Sequence, residues 1–291
     1  MKILVTGASG LLGSEVANYL NKVGHKVTGI FNHHNRLAGS GIKKIKCDIS
    51  KLSSVNSLSS KIDLIIHCAA MTNVNECEKD KKSCFLTNVI GTRNIVSLAK
   101  KLNAKLIYIS TPSVFDGLTG NYRENDPPNP KNYYSLSKLL GEEAVLSYDR
   151  GFIVRTAPIG IHSLKRPQIN FFEWLVNSIK NNKNIDLFSD VNFNPLSAAT
   201  LAKTILDIND KSGIGLIHIG SKNFLSKAGV GKLVLAKFPN FKGKINFTSI
   251  ESRPGSADRP KEMWLNVNKA LGLGIKLPTL EQEINSLISN T

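Results

Sequence analysis

No stretch of about 18 consecutive apolar residues occurs in the 291 residues, so no segment reads as a membrane-spanning helix and no membrane partner is expected. Cysteine is scarce. Cys47, Cys68, Cys77 and Cys84 are the four present, and no two make a C-x-x-C pair. They read as reduced cytosolic thiols, with a disulfide or zinc site as the lesser alternative. No His/Cys/carboxylate cluster has metal-ligand spacing, so no metal is expected. Acidic residues are few, 22 against 38 Lys plus Arg, for a net charge of +16. The excess is lysine, 30 to 8 over arginine, and it is scattered. Short clusters occur (Lys43-Lys44-Lys46, Lys79-Lys81-Lys82), but no long basic arm and no basic stripe interleaved with aromatics. That distribution argues against nucleic-acid binding, whereas a diffuse positive field would attract an anionic small substrate.

Apolar residues make up 41 % and charged residues 21 %, enough to build a core and too apolar for bulk disorder. Met1-Lys2 runs directly into the strand-like Ile3-Leu4-Val5, from which no signal peptide and a cytoplasmic location are expected. The first half alternates strand and helix signals. A short apolar run at 2–6 and further stretches at 26–31, 43–46, 62–67, 105–109 and 152–156 read as strands. Between them, Leu12, Val16 and Leu20 repeat at helical spacing, and a broad apolar face spans 85–102. A Gly/Asn/Pro-rich loop at 116–132 leads into a helix at 133–148. Such alternation predicts an α/β, doubly wound parallel sheet of Rossmann type, covered on both faces. After it the pattern changes. Helices near 168–181, 197–208, 226–238 and 279–289 mix with short strands near 185–188, 214–219 and 245–249. We therefore expect a dinucleotide-binding domain over 1–156 and a smaller substrate-binding lobe over most of 157–291, with later segments returning to the sheet.

Gly7-Ala8-Ser9-Gly10-Leu11-Leu12-Gly13 is a G-x-x-G-x-x-G turn directly after a strand and at the start of a helix. The glycines allow a tight turn, close approach of a pyrophosphate, and close helix–strand packing. Free amides at the helix start would then face the phosphates. Residues 7, 9–13 are thus candidate dinucleotide contacts. About 20 residues on, where an NAD site places an acid, stands Asn32, with Arg36 close behind. No carboxylate there would repel a 2′-phosphate and Arg36 could pair with one, which favours NADPH over NADH. Asp48 and the adjoining Ile49 are candidates for the adenine pocket, with a plain N-cap role for Asp48 or Ser50 as the alternative.

Tyr134 and Lys138 form Y-x-x-x-K at a predicted helix start, a spacing that puts both side chains on one face. An ammonium beside a phenol favours the phenolate, so Lys138 is expected to lower the Tyr134 pKa and make it usable in proton transfer. Thr111 ends the fifth strand, on the side of a parallel sheet where ligands bind, and its hydroxyl could polarise an oxygen being reduced. Trp174 and Phe171-Phe172 read as core, with lining a sugar pocket as the lesser alternative, His67 as a hydrogen-bonded core histidine, and His162 as a minor candidate for the cleft.

MKILVTGASGLLG (1–13), HCAAMTNVNECE (67–78), NVIGTRN (88–94), ISTPSVFDG (109–117) and YSLSKLLGE (134–142) together resemble an extended short-chain dehydrogenase/reductase, most closely the dTDP-4-dehydrorhamnose reductase group. The C-terminal likeness is thinner: Arg155-Thr156, LSKAGVGKLVLAKF, and Arg259-Pro260 leading to Leu265-Asn266 and Lys269. The resemblance implies Thr111, Tyr134 and Lys138 as the catalytic set, with Tyr134 protonating a carbonyl oxygen and Lys138 also bonding the nicotinamide ribose. It implies Ala69, Ala70 and Asn88 near the cofactor and Thr72, Val74, Ser113 and Arg259 near the substrate. Two departures stand out. Pro112-Ser113 replaces the family's Asp-Tyr, and Asn75 replaces a usual Asp. Phe193-Asn194-Pro195-Leu196 also departs from the family pattern, which implies a shifted sugar pocket.

The leading expectation is an NADPH-dependent reductase of a 4-keto nucleotide-linked deoxysugar, with NADH as the second cofactor choice. Arg253, Arg259 and Lys261 are candidate contacts to the nucleotide-diphospho-sugar, and a homodimer is allowed. The alternatives are a non-catalytic nucleotide-binding partner, similar to the regulatory subunit of methionine adenosyltransferase, and an NAD-dependent nucleotide-sugar epimerase.

Overall fold

The computed structural model describes residues 1–35, 37, 39–58, 61–162, 169–209, 211, 215–252 and 257–289. In the first half, β1 is Lys2–Thr6, α1 Leu11–Lys22, β2 Lys26–Phe31 and β3 Lys43–Lys46. Leu52–Asn56 is a short α2 and Leu64–His67 is β4. Val74–Lys79 and Lys81–Phe85 form α3 and α4, and Gly91–Leu102 forms α5. Lys105–Ser110 is β5, Tyr133–Leu146 is α6 and Gly151–Arg155 is β6. Each strand expected here is present, with its ends shifted by at most two residues.

Strand side chains alternate between two cores, as burial on both faces requires. Ile3, Val5, Leu64, Ile66 and Ile107 pack with Leu12, Val16 and Leu20 of α1. Leu4, Ile65, Leu106 and Tyr108 pack with Ile95, Val96 and Leu98 of α5. The strands pair in parallel, joined at one edge by β11 (Leu216–His218), in the order β11-β6-β5-β4-β1-β2-β3. Strand order reverses between β1 and β4, so a crevice opens beyond their carboxyl ends. At the other edge, Lys43, Lys44 and Lys46 line β3, charges that discourage further strand pairing.

The helix expected over 85–102 is interrupted. Between α4 and α5 the chain makes a π-helical turn over Leu86–Ile90. This wider turn sets Asn88 against two other segments: it accepts from the Met71 amide (2.8 Å) and donates to Ser137 Oγ (2.8 Å).

Beyond β6, the short strands β7 (Pro158–Ile159), β9 (Asn192–Phe193) and β10 (Leu196–Ser197) surround α7 (Phe171–Lys180) and β8 (Ile185–Phe188). Next comes α8 (Ala198–Asn209), and after β11 come β12 (Leu225–Ser226), α9 (Lys227–Leu235) and β13 (Ile245–Thr248). The chain ends with β14 (Glu262–Met263), α10 (Asn268–Gly272) and α11 (Leu280–Ser289). A third core joins Phe172, Leu175 and Val176 of α7 to Leu187, Val230, Val234 and Ile284. In contrast, Leu201, Ile205 and Ile208 of α8 sit in the core of α1. Trp174 corrects the all-core reading of its helix: it is 37 % exposed, while Phe172 is fully buried.

Candidate active site

Gly7 follows β1 with φ +63°, a conformation that favours glycine. A Cβ there would lie 2.7 Å from the Ala69 Cα, and one on Gly13 would lie 2.2 Å from the Gly7 carbonyl oxygen. Both obstacles are backbone, so neither position can carry a side chain in this turn. A Cβ on Gly10 would meet only the Gly7 oxygen within 4 Å, so this side of the turn is open. The first turn of α1 has no side-chain cap and no acid. Its free amides and the positive helix end therefore suit the pyrophosphate of a dinucleotide.

A buried chain of hydrogen bonds fixes Ala69 beside this turn. Thr92 Oγ1 donates to the Asn88 carbonyl (2.6 Å), so it accepts from His67 Nε2 (3.1 Å). His67 Nδ1 then accepts from Thr6 Oγ1 (2.6 Å), whose oxygen accepts from the Ala69 amide (3.0 Å). His67 is thus the bonded core histidine expected, and burial, aided by the Lys138 charge, pulls its pKa down to about 3. Asn32 follows β2 and is exposed, and Ser9 donates to the His34 carbonyl (2.7 Å). Arg36 lies outside the described residues, as does Arg253. Asp48 accepts from the Ser50 amide (3.1 Å) and hydroxyl (2.7 Å) in a turn ahead of α2, whose cap residue is Lys51, so neither Asp48 nor Ser50 caps the helix as the alternative expected. Ile49 is buried, with its side chain where a Cβ on Gly91 would lie.

Helix α6 begins at Asn132, whose side chain accepts from the Ser135 amide (2.9 Å) and donates to the Asp258 carbonyl (2.8 Å). One helical turn then separates Tyr134 and Lys138. Lys138 Nζ donates to the Ile109 carbonyl (2.7 Å) and stands 4.0 Å from the centre of the Tyr108 ring. Thr111, just past β5, accepts from the Ser113 amide (3.2 Å) and neighbours the Tyr134 phenol, whose pKa its hydroxyl draws down. The three expected catalytic side chains therefore meet at the carboxyl end of β5.

One electrostatic expectation is overturned. Lys138 does not lower the Tyr134 pKa; burial pushes the phenol up to about 12, with the Thr111 hydroxyl acting the other way. Lys138 is itself pulled down to about 7 by burial, against the raising influence of Glu142. Its amine is directed at the Ile109 carbonyl and the Tyr108 face. The phenol consequently stays protonated at neutral pH, the form that donates a proton.

Glu142 and Arg155 escaped the sequence reading as a pair. Both are almost fully buried, and Arg155 holds the Glu142 carboxylate at 2.9 Å and 2.7 Å through Nε and Nη2. Ser110, next to Thr111, donates to the same carboxylate. The pair thus locks α6 against β5 and β6 behind the catalytic set. Their occurrence within apolar, family-like segments was the available signal.

A cavity of about 320 Å³ adjoins Thr111 and is bordered by Thr72, Ser113, Pro158, Phe171, Phe193 and Met263, among others. Thr72 and Ser113 thus reach it as expected, and Ser113 Oγ donates to Met263 Sδ (3.5 Å). Val74 opens α3, next to the Asn73 cap. Arg259 instead donates to Asn75 Oδ1 (2.9 Å) and to the Ala257 carbonyl (3.2 Å). Lys261 pairs with Glu251 (2.5 Å) and Asp190 (3.3 Å). Asn75 and Arg259 therefore tie the C-terminal segment to α3, while Lys261 ties it to Asp190 and Glu251 within the second half. His162 bonds Glu173 (2.5 Å). Sequence reasoning missed Met263, Asn170 and Lys227 at the cavity, because three separate elements bring them there.

A family model described as the RmlD substrate binding domain matches residues 1–291. Among curated relatives, the probable low-salt glycan biosynthesis reductase Agl14 of Haloferax volcanii is 29 % identical, over 99 % of this chain and 97 % of that protein. A hypothetical dTDP-4-dehydrorhamnose reductase from Sulfolobus tokodaii superposes with a TM-score of 0.82 at 32 % identity, covering 94 % of each chain. The dTDP-4-dehydrorhamnose reductase of Bacillus anthracis, solved in complex with NADP, gives a TM-score of 0.86 at 27 % identity, over 100 % of this chain and 99 % of that one.

Proposed function

The chain belongs to the RmlD substrate binding domain family, and on that premise we propose that it is an NADPH-dependent reductase of a 4-keto nucleotide-linked deoxysugar. The observation that carries the reading is the meeting of Thr111, Tyr134 and Lys138 beside a cavity and a glycine turn. Gly7, Gly10 and Gly13 with the first amides of α1 would hold the pyrophosphate, and Ala69, Ala70 and Asn88 would border the nicotinamide half. Asn32 leaves room for a 2′-phosphate. When bound, NADPH supplies the hydride that reduces the carbonyl carbon.

The chain's own residues do the rest. Thr111 donates a hydrogen bond to the substrate's carbonyl oxygen and orients it. The Tyr134 phenol, kept protonated by burial, gives its proton to that oxygen. Lys138, whose amine is held by the Ile109 carbonyl at 2.7 Å, would bond the nicotinamide ribose. The apolar Pro158, Phe171 and Met263 side chains exclude water from the reacting carbon.

The test follows NADPH absorbance with dTDP-4-dehydrorhamnose as substrate. Oxidation is expected in the native protein and a fall of roughly 10²- to 10⁴-fold in Tyr134→Phe, with NADPH binding retained. Cofactor binding without turnover across a panel of 4-keto sugars would instead identify a non-catalytic nucleotide-binding protein. Isomerised sugar without net NADPH loss would identify an epimerase.

A further inference from the structure

We infer that Tyr108 is a positioning residue for the cofactor: its ring face holds the Lys138 ammonium where it can bond the nicotinamide ribose. The inference rests on the reductase reading, which gives Lys138 to the ribose, and adds a residue that the sequence presents only as part of a strand. Tyr108 lies in β5, and both it and Lys138 are buried.

Two contacts from one side chain support this role. Lys138 Nζ stands 4.0 Å from the centre of the Tyr108 ring, within the range at which an aromatic face attracts an ammonium, and that attraction is strongest where water is excluded. The hydroxyl at the far end of the same ring donates to the Lys138 carbonyl (3.4 Å). Tyr108 thus grips one residue of α6 at its amine and at its backbone. An ammonium carries three donors. The Ile109 carbonyl takes one at 2.7 Å and the ring face takes a second, which leaves the third for the ribose. Glu142, one turn on, is held by Arg155 and Ser110 and forms no ion pair with Lys138 among the described residues.

Helix α6 is shaped to this ring. Gly141 follows Lys138 by one turn, in a helix interior where glycine is ordinarily unfavourable. A Cβ on Gly141 would lie 2.3 Å from the Tyr108 hydroxyl oxygen and 2.9 Å from its Cζ, so the bare backbone makes room for the phenol end. His67, fixed by Thr6 and Thr92, packs beside the ring with centres 5.4 Å apart. A leucine at 108 would fill much of this space and offer no electron-rich face.

The test is calorimetric titration of the full-length protein with NADP⁺ at about pH 6, below the value of about 7 to which burial pulls the Lys138 amine. Tyr108→Leu is expected to weaken binding roughly 3- to 30-fold, the range for losing one desolvated ammonium–ring contact. Tyr108→Phe, which keeps the face, should retain most of the native affinity. In a Lys138→Met background, Tyr108→Leu should cause no further loss, because the ring acts through the amine. A general packing defect would weaken binding equally in both backgrounds. Unchanged affinity in folded Tyr108→Leu, or an equal loss with and without Lys138, overturns the inference. If Tyr108→Leu does not fold, Gly141→Ala decides: its methyl displaces the ring, so NADP⁺ binding should weaken and Tyr108→Phe should relieve part of that loss, whereas native affinity in Gly141→Ala overturns the inference. Ring-dependent NADP⁺ binding in a protein that never oxidises NADPH would overturn the reductase reading and leave this inference standing.

Discussion

Acidification from pH 7 to pH 5 should remove about 4 kcal/mol of folding stability through two histidines alone. His67 and His218 are fully buried. His67 spends both ring nitrogens on Thr6 and Thr92. His218 Nδ1 faces the Tyr122 carbonyl at 3.0 Å, and its Nε2 faces Arg155 at 3.5 Å. Burial first, then the charge of Lys138 or Arg155, pulls each pKa down to about 3. In the unfolded chain each returns to 6.5. Both folded values are depressed, so the unfolded state takes up protons first as pH falls. Stability is therefore full above 6.5 and lost toward 3. At pH 5 the unfolded imidazoles lie about 1.5 pH units below their pKa, which at 1.36 kcal/mol per unit gives about 2 kcal/mol each. The folded pKa hardly enters while it stays well under 5. Against a typical total of about 5–15 kcal/mol, the loss is large. Urea unfolding at pH 7, 6 and 5 measures it, with His67→Gln/His218→Gln as reference. Carboxylates such as Asp116 and Asp190 titrate alike in both proteins, so the difference in slope isolates the imidazoles. Equal slopes, or a native loss below about 1 kcal/mol, would refute the reasoning.

Three further outcomes are expected. Gly13→Ala, whose new methyl would sit 2.2 Å from the Gly7 carbonyl, should cost about 1–3 kcal/mol and weaken NADPH binding, read by thermal unfolding with and without cofactor. Glu142→Gln leaves Arg155 buried without its counter-charge and should cost about 3–5 kcal/mol, while Glu142→Leu with Arg155→Met should recover much of that in urea unfolding. Reductive kcat/KM should stay level from pH 7 to about 10, because burial keeps the Tyr134 phenol protonated, with its pKa at about 12; a fall through pH 8–9 would contradict its role as proton donor.

The sheet was legible because most of its strands, the lysine-rich edge strand β3 apart, are apolar runs separated by helical periodicities, and both patterns are local. The glycine turn was legible for the same reason: Gly7, Gly10 and Gly13 announce a backbone need at fixed spacing. Tyr134 and Lys138 share a helix, so spacing alone placed them together. The direction of the phenol's pKa was not legible, since it depends on how deeply Tyr134 is packed and on where the Lys138 amine points. The π-helical turn escaped notice because the contact it serves, Asn88 with Met71, is tertiary and leaves no local pattern. Lys227, Met263 and Phe193 reach one cavity from α9, β14 and β9, and no local pattern reports that meeting. In the second half, β8, β11 and β13 were legible as short apolar stretches, whereas the two-residue strands β7, β9, β10, β12 and β14 carry too little periodicity to be seen.

Helix α8 and strand β11 come after the first visit to the lobe, yet one covers α1 and the other forms the sheet's border beside β6. A protein truncated after residue 156 would therefore expose the apolar face of α1 and a bare strand margin at once. The two halves of this chain cannot be expressed as independent pieces. A single cut between β6 and α8 should yield aggregate from the first fragment, whereas co-production of both fragments should rescue it.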